Sequence, residues 1–527
     1  MKRRDFLKYT APAAVLPTFI NGFAVQAFGS SSLLAALEAS AADNDHVLVM
    51  IQLAGGNDGL NMVVPLDVYD KYQAARTNIA IAEGKVLPLA GNIKTGLHPA
   101  LKGIQELYDD GKACIIQSVG YPSPDYSHFR ATDIWLTGSY SNQVLNTGWA
   151  GRYLSTQYPD FPDNYPNDKD TDPLAIQIGS IVSPAFNGTD ANMGIAITSS
   201  SDFYNLIDGV QDPVPNTHAG IELDYIRTVA RQANKFADAI KAAASKVTSQ
   251  SPYPDRNGLA EQLKIVARLI AGGLKTRLYM VSIGYFDTHA SQTQGGDNTT
   301  GYHAELLGKL STAVKAFMDD LTNLKVSRRV TGMTFSEFGR RIKSNGSMGT
   351  DHGAAAPMII FGDYVLQGVL GASPTIPDAT SVNDNMPMQY DFRSVYASLL
   401  EQWFCVDNAT LQTILLKDYQ RLPIVSGIAC GTITAIDDVN NGSHNLITNY
   451  PNPFVNNTTL KYKSKGGHTM IQIFDTMGRL ISVPVNKILA AGEYTISLDT
   501  QRFASGTYYA RLQNGPYQQV RTMLKVN

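Results

Sequence analysis

The sequence predicts an α/β protein: a mostly parallel sheet with helices on both faces, followed by a small C-terminal all-β sandwich. Three observations predict it. Between residues 43 and 428, apolar strand-like runs alternate with amphipathic helical stretches, the pattern of strands joined by helical crossovers. Beyond residue 447 the pattern becomes short alternating runs between Gly-rich turns. The chain is 44% hydrophobic and 17% charged over 527 residues, enough to bury a sizeable core in more than one domain.

Taken in order, HVLVMIQLAGGNDG (46–59) is a buried strand running into a glycine-rich turn. HPALKGIQELYDDGK (98–112) is an amphipathic helix with a glycine stop, and ACIIQSVG (113–120) is the next strand. GLAEQLKIVARLIAGG (258–273) is a helix, RLYMVSIGYFDTH (277–289) a strand, and 301–324 a long helix. RRVTGMTFSEFG (328–339) and APMIIFG (356–362) are two more strands. Residues 429–446 are polar and rich in Asn and Gly, which makes them a linker to the sandwich of 447–527. There TLKYKS, TMIQIFD, EYTISLD, TYYARLQ and VRTMLKV are the strands.

Net charge is −3 with no long basic run, which argues against nucleic acid as a partner. The three cysteines form no zinc pattern; Cys114 is expected as a buried thiol, and a Cys405–Cys430 disulfide is open. No later segment has the ~18 consecutive apolar residues of a membrane span. At the N-terminus, Lys2-Arg3-Arg4-Asp5-Phe6-Leu7-Lys8 resembles a twin-arginine export signal, with Ala39-Ser40-Ala41 before a cleavage site and residues 1–42 as the signal peptide. That implies the twin-arginine translocase as a partner.

Ligands bind outside the carboxyl ends of parallel strands, and the chemistry-bearing residues fall at such ends. Asp58 follows the first strand. Ser127 and His128 follow the second and a Pro-rich loop. Asp287 and His289 follow LYMVSIGYF, and Glu337 follows VTGMTFS. Asp351 and His352 precede APMIIFG and return to the same rim. Carboxylates and neutral imidazoles delivered by separate segments to one face are what a divalent cation needs; zinc, manganese, magnesium and calcium all remain open. Singly, each residue also has a plain structural reading, Asp58 as a turn residue and Asp287 as a helix cap.

Five motifs carry a resemblance: GGNDGLNMVVP, YSHFRATDIW, GYFDTHASQ, TFSEFGRR and GTDHGAAAP. In this order they resemble the family catalogued as domain of unknown function 1501, grouped with the alkaline phosphatase and sulfatase superfamily. The resemblance spans most of residues 46–405 and implies an alkaline phosphatase-like fold. It implies metal ligation by Asp58, Asp287, His289, Glu337, Asp351 and His352. Ser127 at a helix N-terminus is implied as nucleophile, with His128 beside it and Arg340 or Arg341 steadying an anion. The chain departs from the superfamily pattern in two places. It has Asp-x-His at 287–289 where four-residue spacing is usual, with His303 a distant substitute, and Phe338 stands where an imidazole is usual. Asp351, His128 or Asn57 are the candidates to fill that gap.

In the sandwich, Tyr450-Pro451-Asn452-Pro453-Phe454, Phe474-Asp475-Thr476-Met477-Gly478-Arg479 and Phe503-Ala504-Ser505-Gly506-Thr507-Tyr508-Tyr509 resemble the C-terminal sorting domain of type IX secretion. That implies the type IX machinery as a partner, passage through the periplasm, and a final place at the cell surface or outside it. The combined expectation is an exported metal-dependent hydrolase of phosphate or sulfate esters, acting on an anionic glycan or phosphoester. The alternative is a non-catalytic surface protein that keeps the fold and one cation. A Ser-His-Asp esterase ranks below both, because Ser127 lies in no Gly-x-Ser-x-Gly elbow.

Overall fold

Successive side chains of the strand Val47–Leu53 (β1) enter two different cores, and that alternation sets the architecture. Val47, Val49, Ile51 and Leu53 pack into one core, and Leu48 and Met50 into the other. The computed structural model describes residues 18–20, 23–25, 45–162, 165–167, 169–198, 236–428, 447–475, 479–514 and 517–526. The twin-arginine motif, Cys430 and the expected 429–446 linker lie outside the described residues. The chain separates into two compact units, Met1–Thr432 and Ile433–Asn527.

In the first unit the further strands of the main sheet are β2 (Ala113–Gly120), β3 (Ala175–Ile178), β4 (Gly194–Ile197) and β5 (Leu278–Ile283). They continue with β6 (Val330–Phe335), β7 (Ala356–Gly362), β8 (Gly368–Leu370) and β9 (Tyr390–Asp391). The order across the sheet is β8-β2-β7-β6-β1-β5-β3-β4, with β9 beside β2. Only the pairings of β7 with β2 and β6 are antiparallel; the others are parallel. The C-terminal ends of β1, β2, β5 and β6 therefore share one rim with the N-terminal end of β7.

Helices cover both faces, as the alternating pattern requires. Helices α1 (Lys102–Asp109), α4 (Gly258–Ala271) and α5 (Tyr302–Asn323) bury Ile104, Leu263 and Leu310 in the first core. Helices α2 (His128–Thr137), α3 (Trp149–Gln157), α6 (Phe392–Gln402) and α7 (Asn408–Leu415) bury Ile134, Trp149, Tyr396 and Leu411 in the second. Full burial of a side chain of this size is worth about 1.5–3 kcal/mol. Cys114 is a free thiol deep in β2, and burial pushes its pKa up to about 12. Cys405 is disulfide-bonded. Among the described residues no helix is long and apolar enough to cross a membrane.

The second unit is the small, separate all-β body expected. It is one five-stranded antiparallel sheet: β10 (Ile447–Tyr450), β11 (Asn457–Asp475), β12 (Leu480–Asp499), β13 (Gly506–Asn514) and β14 (Tyr517–Lys525). TLKYKS and TMIQIFD, expected as separate strands, are two halves of β11. Gly466 and Gly467 sit between them at φ 97° and 88°, so a pair that reads as a turn instead bends a continuous strand. The sheet curls around Leu460, Ile471, Ile473, Ala510 and Leu512, nearly closing as a barrel; Phe454 bridges to Lys525.

Candidate metal centre at the strand-end rim

The chain leaves β1 through Gly55 and Gly56, at φ 122° and 77°. A Cβ on Gly55 would lie 2.5 Å from the Asp287 nitrogen, and one on Gly56 2.2 Å from the Phe338 ring. Only glycines let this turn pass so close to the loops that follow β5 and β6. The Gly55 N–H donates to Glu337 Oε1 at 2.8 Å. Arg340 donates to the Gly56, Thr350 and Phe286 carbonyls at 2.6, 2.7 and 3.1 Å, to the Gly55 carbonyl, and to Asp287 Oδ1 at 2.6 Å. Its side chain is fully buried and all three nitrogens are engaged. Arg340, expected to steady a bound anion, pins the rim loops and one face of Asp287 in this structure. Arg341 is half-buried, stacks over the Tyr126 ring at 5.3 Å and donates to the His352 carbonyl.

Three histidines surround Asp287, and each is anchored in the same way. His128 Nδ1 is 2.9 Å from Glu337 Oε1, His289 Nδ1 is 3.2 Å from Asp351 Oδ1, and His352 Nδ1 is 2.8 Å from the Tyr126 carbonyl. An acceptor at Nδ1 supports the tautomer that carries its proton there and leaves Nε2 free to ligate a cation; in the other tautomer Nε2–H donates to Asp287, as the His352 hydrogen bond allows. The three Nε2 atoms converge on one carboxylate. His128 Nε2 is 3.5 Å from Asp287 Oδ2; His289 and His352 Nε2 are each 3.1 Å from Asp287 Oδ1 and 3.0 Å from each other. Two imidazole lone pairs face to face repel unless a cation or a shared proton lies between them. Ligand atoms around a tetrahedral ion with bonds of ~2.0–2.1 Å stand roughly 3.4 Å apart, close to these spacings. His128, Asp287 and His352 each offer a ligand atom within 4.8 Å of the others.

Glu337 and Asp351, expected as ligands, each stand at an imidazole Nδ1, of His128 and His289 respectively. Phe338 leaves no imidazole of its own, but its ring packs on His128 at 4.9 Å and on His352 at 4.5 Å. His128 reaches this cluster from the first turn of α2. Ser127 is the N-cap of α2; its backbone is extended (φ −83°, ψ 125°), its side chain makes no capping hydrogen bond, and it is exposed.

Asp58, expected as a ligand, lies apart from this group, and its Oδ1 is buried without a hydrogen-bond partner. Its Oδ2 accepts from Arg76 at 2.6 Å and Gln292 at 2.5 Å, and both members of the ion pair are fully buried. Gln292 Oε1 in turn accepts from Thr288 and Thr350 hydroxyls, each at 3.0 Å. Thr288 lies between Asp287 and His289, and Thr350 precedes Asp351. The pair therefore braces both loops of the cluster from beneath. Arg76 carried no motif signal; Gln292 ends the motif GYFDTHASQ, where it was given no role. His303, the substitute ligand, is also apart: its Nε2 is 3.0 Å from Asn57 Oδ1, in a wholly buried site.

Burial alone would raise the Asp287 carboxyl. The hydrogen bond and charge of Arg340, with His352 and His289 nearby, outweigh it and hold the pKa at about 2. Burial lowers His352 despite the Tyr126 carbonyl and Asp287, so it stays neutral, the form that ligates a metal. Asp58 is raised by burial but brought below the usual range by Arg76.

This is an α/β protein with an acid–imidazole cluster at its strand-end rim, joined to a separate antiparallel sheet. Residues 216–415 match the family described as "Protein of unknown function (DUF1501)", and residues 448–526 match "Secretion system C-terminal sorting domain". The sorting domain implies the secretion machinery as a partner and marks a protein exported to the cell surface or beyond. No curated protein matches the chain. Among solved structures, it is similar to a protein in the alkaline phosphatase superfamily from Vibrio parahaemolyticus. That match has 9% identity, covers 92% of this chain and 82% of the other, and has a TM-score of 0.32. A sulfatase from Pseudoalteromonas sp. is similar at 9% identity, with 89% and 88% covered and a TM-score of 0.32. A lipoteichoic acid synthase from Listeria monocytogenes follows at 7%, with 64% and 68% covered and a TM-score of 0.27.

Proposed function

We propose that the α/β unit is an exported metal-dependent hydrolase of phosphate or sulfate esters, sent across the inner membrane by the twin-arginine route. The observation that carries this reading is the common orientation of three histidines, each tied at Nδ1 and each turning Nε2 toward Asp287. His128, His289, His352 and Asp287 would hold one divalent ion, with Glu337 and Asp351 as the acceptors that orient two of the imidazoles. Such an ion supplies Lewis-acid polarisation of the ester oxygens. Ser127, with a free hydroxyl at the N-terminus of the ten-residue helix α2, would be the nucleophile. The exposed N–H groups of that first turn favour the developing negative charge. Arg340 would act through Asp287, holding its carboxylate toward the imidazoles.

Metal analysis of the whole protein tests this. The expected result is about one equivalent of divalent metal in the wild type, lost in Asp287→Ala. No bound metal, with no gain in thermal stability from zinc, manganese, magnesium or calcium, would remove the reading. A second reading, a non-catalytic surface protein with one cation, is favoured by the confinement of Asp58 to Arg76, which leaves a single cluster among the described residues. Metal binding without turnover of any phosphate or sulfate ester would support it.

A further inference from the structure

We infer that a cavity beside the cluster receives the alcohol half of the ester, and that this half is an apolar ring rather than a polyol; the inference rests on the hydrolase reading. The cavity measures about 310 Å³ and is lined chiefly by Tyr121, Pro124, Tyr126, Met386, Pro387 and Met388. That volume lies at the low end for small-molecule sites, enough for one ring. Three features tie it to the cluster. Tyr126, in its wall, gives the carbonyl that anchors His352. Ser127 and His128 follow Tyr126 directly. On the opposite wall, Ala354 stands two residues after His352. Two other cavities, one between residues 166–172 and 238–274 and one between α1 and α5, use none of these residues.

The composition of the wall selects the occupant. Tyrosine rings, proline rings and methionine thioethers offer flat or adaptable apolar surface, which suits an aryl or alicyclic group. Most of the nearest polar groups are already engaged: Asn385 Nδ2 donates to the Tyr126 hydroxyl at 3.0 Å, and the Tyr121 hydroxyl bonds to the Asp125 backbone, while Asn385 Oδ1 is a buried acceptor without a partner. A polyol placed there would find that one acceptor for its several hydroxyls, and leaving the others without partners is unfavourable. Arg341 stacks on the Tyr126 ring and donates to the His352 carbonyl, which puts a cation beside the residues that join cavity and cluster.

The test uses the zinc-loaded full-length protein and three phosphonates: methylphosphonate, benzylphosphonate and a pyranosylmethylphosphonate, followed by calorimetry. Benzylphosphonate is expected to bind roughly tenfold tighter than methylphosphonate, the scale of burying one ring face. Met388, exposed at the cavity, is changed to Asp. Met388→Asp should abolish that advantage and leave methylphosphonate binding unchanged. Equal binding of the methyl and benzyl compounds, or a preference for the pyranosyl one, overturns the inference. Benzyl alcohol alone, followed by saturation-transfer NMR, separates the two layers. If it binds wild type but not Met388→Asp while no phosphonate binds, the cavity stands and the hydrolase reading falls. If it does not bind, the cavity assignment is wrong whatever the phosphonates do.

Discussion

Asp58 and Asp287 follow neighbouring parallel strands, β1 and β5, and each is held by a buried arginine, yet they do opposite work. Asp58 is fully buried with Arg76, and no imidazole bonds to it. Asp287 keeps 45% of its side chain in solvent and meets Arg340 on one side and three imidazoles on the other. Burial disfavours both carboxylates and the arginines restore them, so both remain ionised at neutral pH. What separates them is access. A carboxylate sealed against its counter-ion offers a cation no approach from solvent, while one that still faces water among imidazole nitrogens does.

The largest expected effect breaks the scaffold side. Arg76→Met leaves the Asp58 carboxylate buried with Gln292 alone, and removing one partner of such a pair typically costs about 3–5 kcal/mol. Urea denaturation should show that loss. A change under 1 kcal/mol would mean that Asp58 is wetter than its burial indicates.

The next sharpens the metal side. Glu337→Gln keeps an acceptor for the Gly55 N–H and for His128 Nδ1 but removes the charge behind the imidazole. Zinc affinity should fall roughly 10–100-fold, the usual cost of losing an outer partner of a ligating histidine. The urea midpoint of the metal-free protein should stay near wild type. Unchanged affinity would put His128 outside the coordination shell.

Acid separates the regions again. Beneath the rim, burial lowers His303 to about 4 and His98 to about 3; Asp58 opposes this for both, whereas Arg76 and Arg340 lower His303 further. Their rings meet edge-on at 6.1 Å. An unfolded histidine binds a proton near pH 6.5, and the folded one resists until about 4. Stability is therefore complete above pH 6.5 and declines as pH falls toward 4, by on the order of 1 kcal/mol per pH unit for His303. His303→Gln should flatten that limb of the pH–stability curve. An equally steep limb in the variant would assign the acid loss to other groups.

Much of this contrast was legible in the sequence, and the part that was not has a physical cause. Carboxylates and histidines at strand ends gave the rim and nearly all of the cluster, because strand periodicity locates the ends and parallel connections align them. The return of His352 to that rim followed from its place just before β7. Which nitrogen of each imidazole faces inward depends on acceptors only the fold brings near, so the places of Glu337 and Asp351 at Nδ1 atoms were not legible. The pairing of Asp58 with Arg76 was hidden too, because Arg76 lies eighteen residues on, in a stretch with no motif. Gly466-Gly467 misled in another way. A glycine pair marks permissive backbone, and only the pairing along β11 and β12 decides between a turn and a bend.

Ser127→Ala carries the smallest expected effect on stability and the most weight for function. The hydroxyl is exposed and makes no cap bond, so the folded state should change by less than about 0.5 kcal/mol. Zinc content should be untouched, since the neighbouring His128 keeps its bond to Glu337. Ester turnover, measured beside these two quantities, then isolates the nucleophile. Loss of turnover with metal and stability intact assigns the displacement to Ser127. Full turnover in the variant would move the attacking group elsewhere in the cluster and leave α2 only the task of delivering His128.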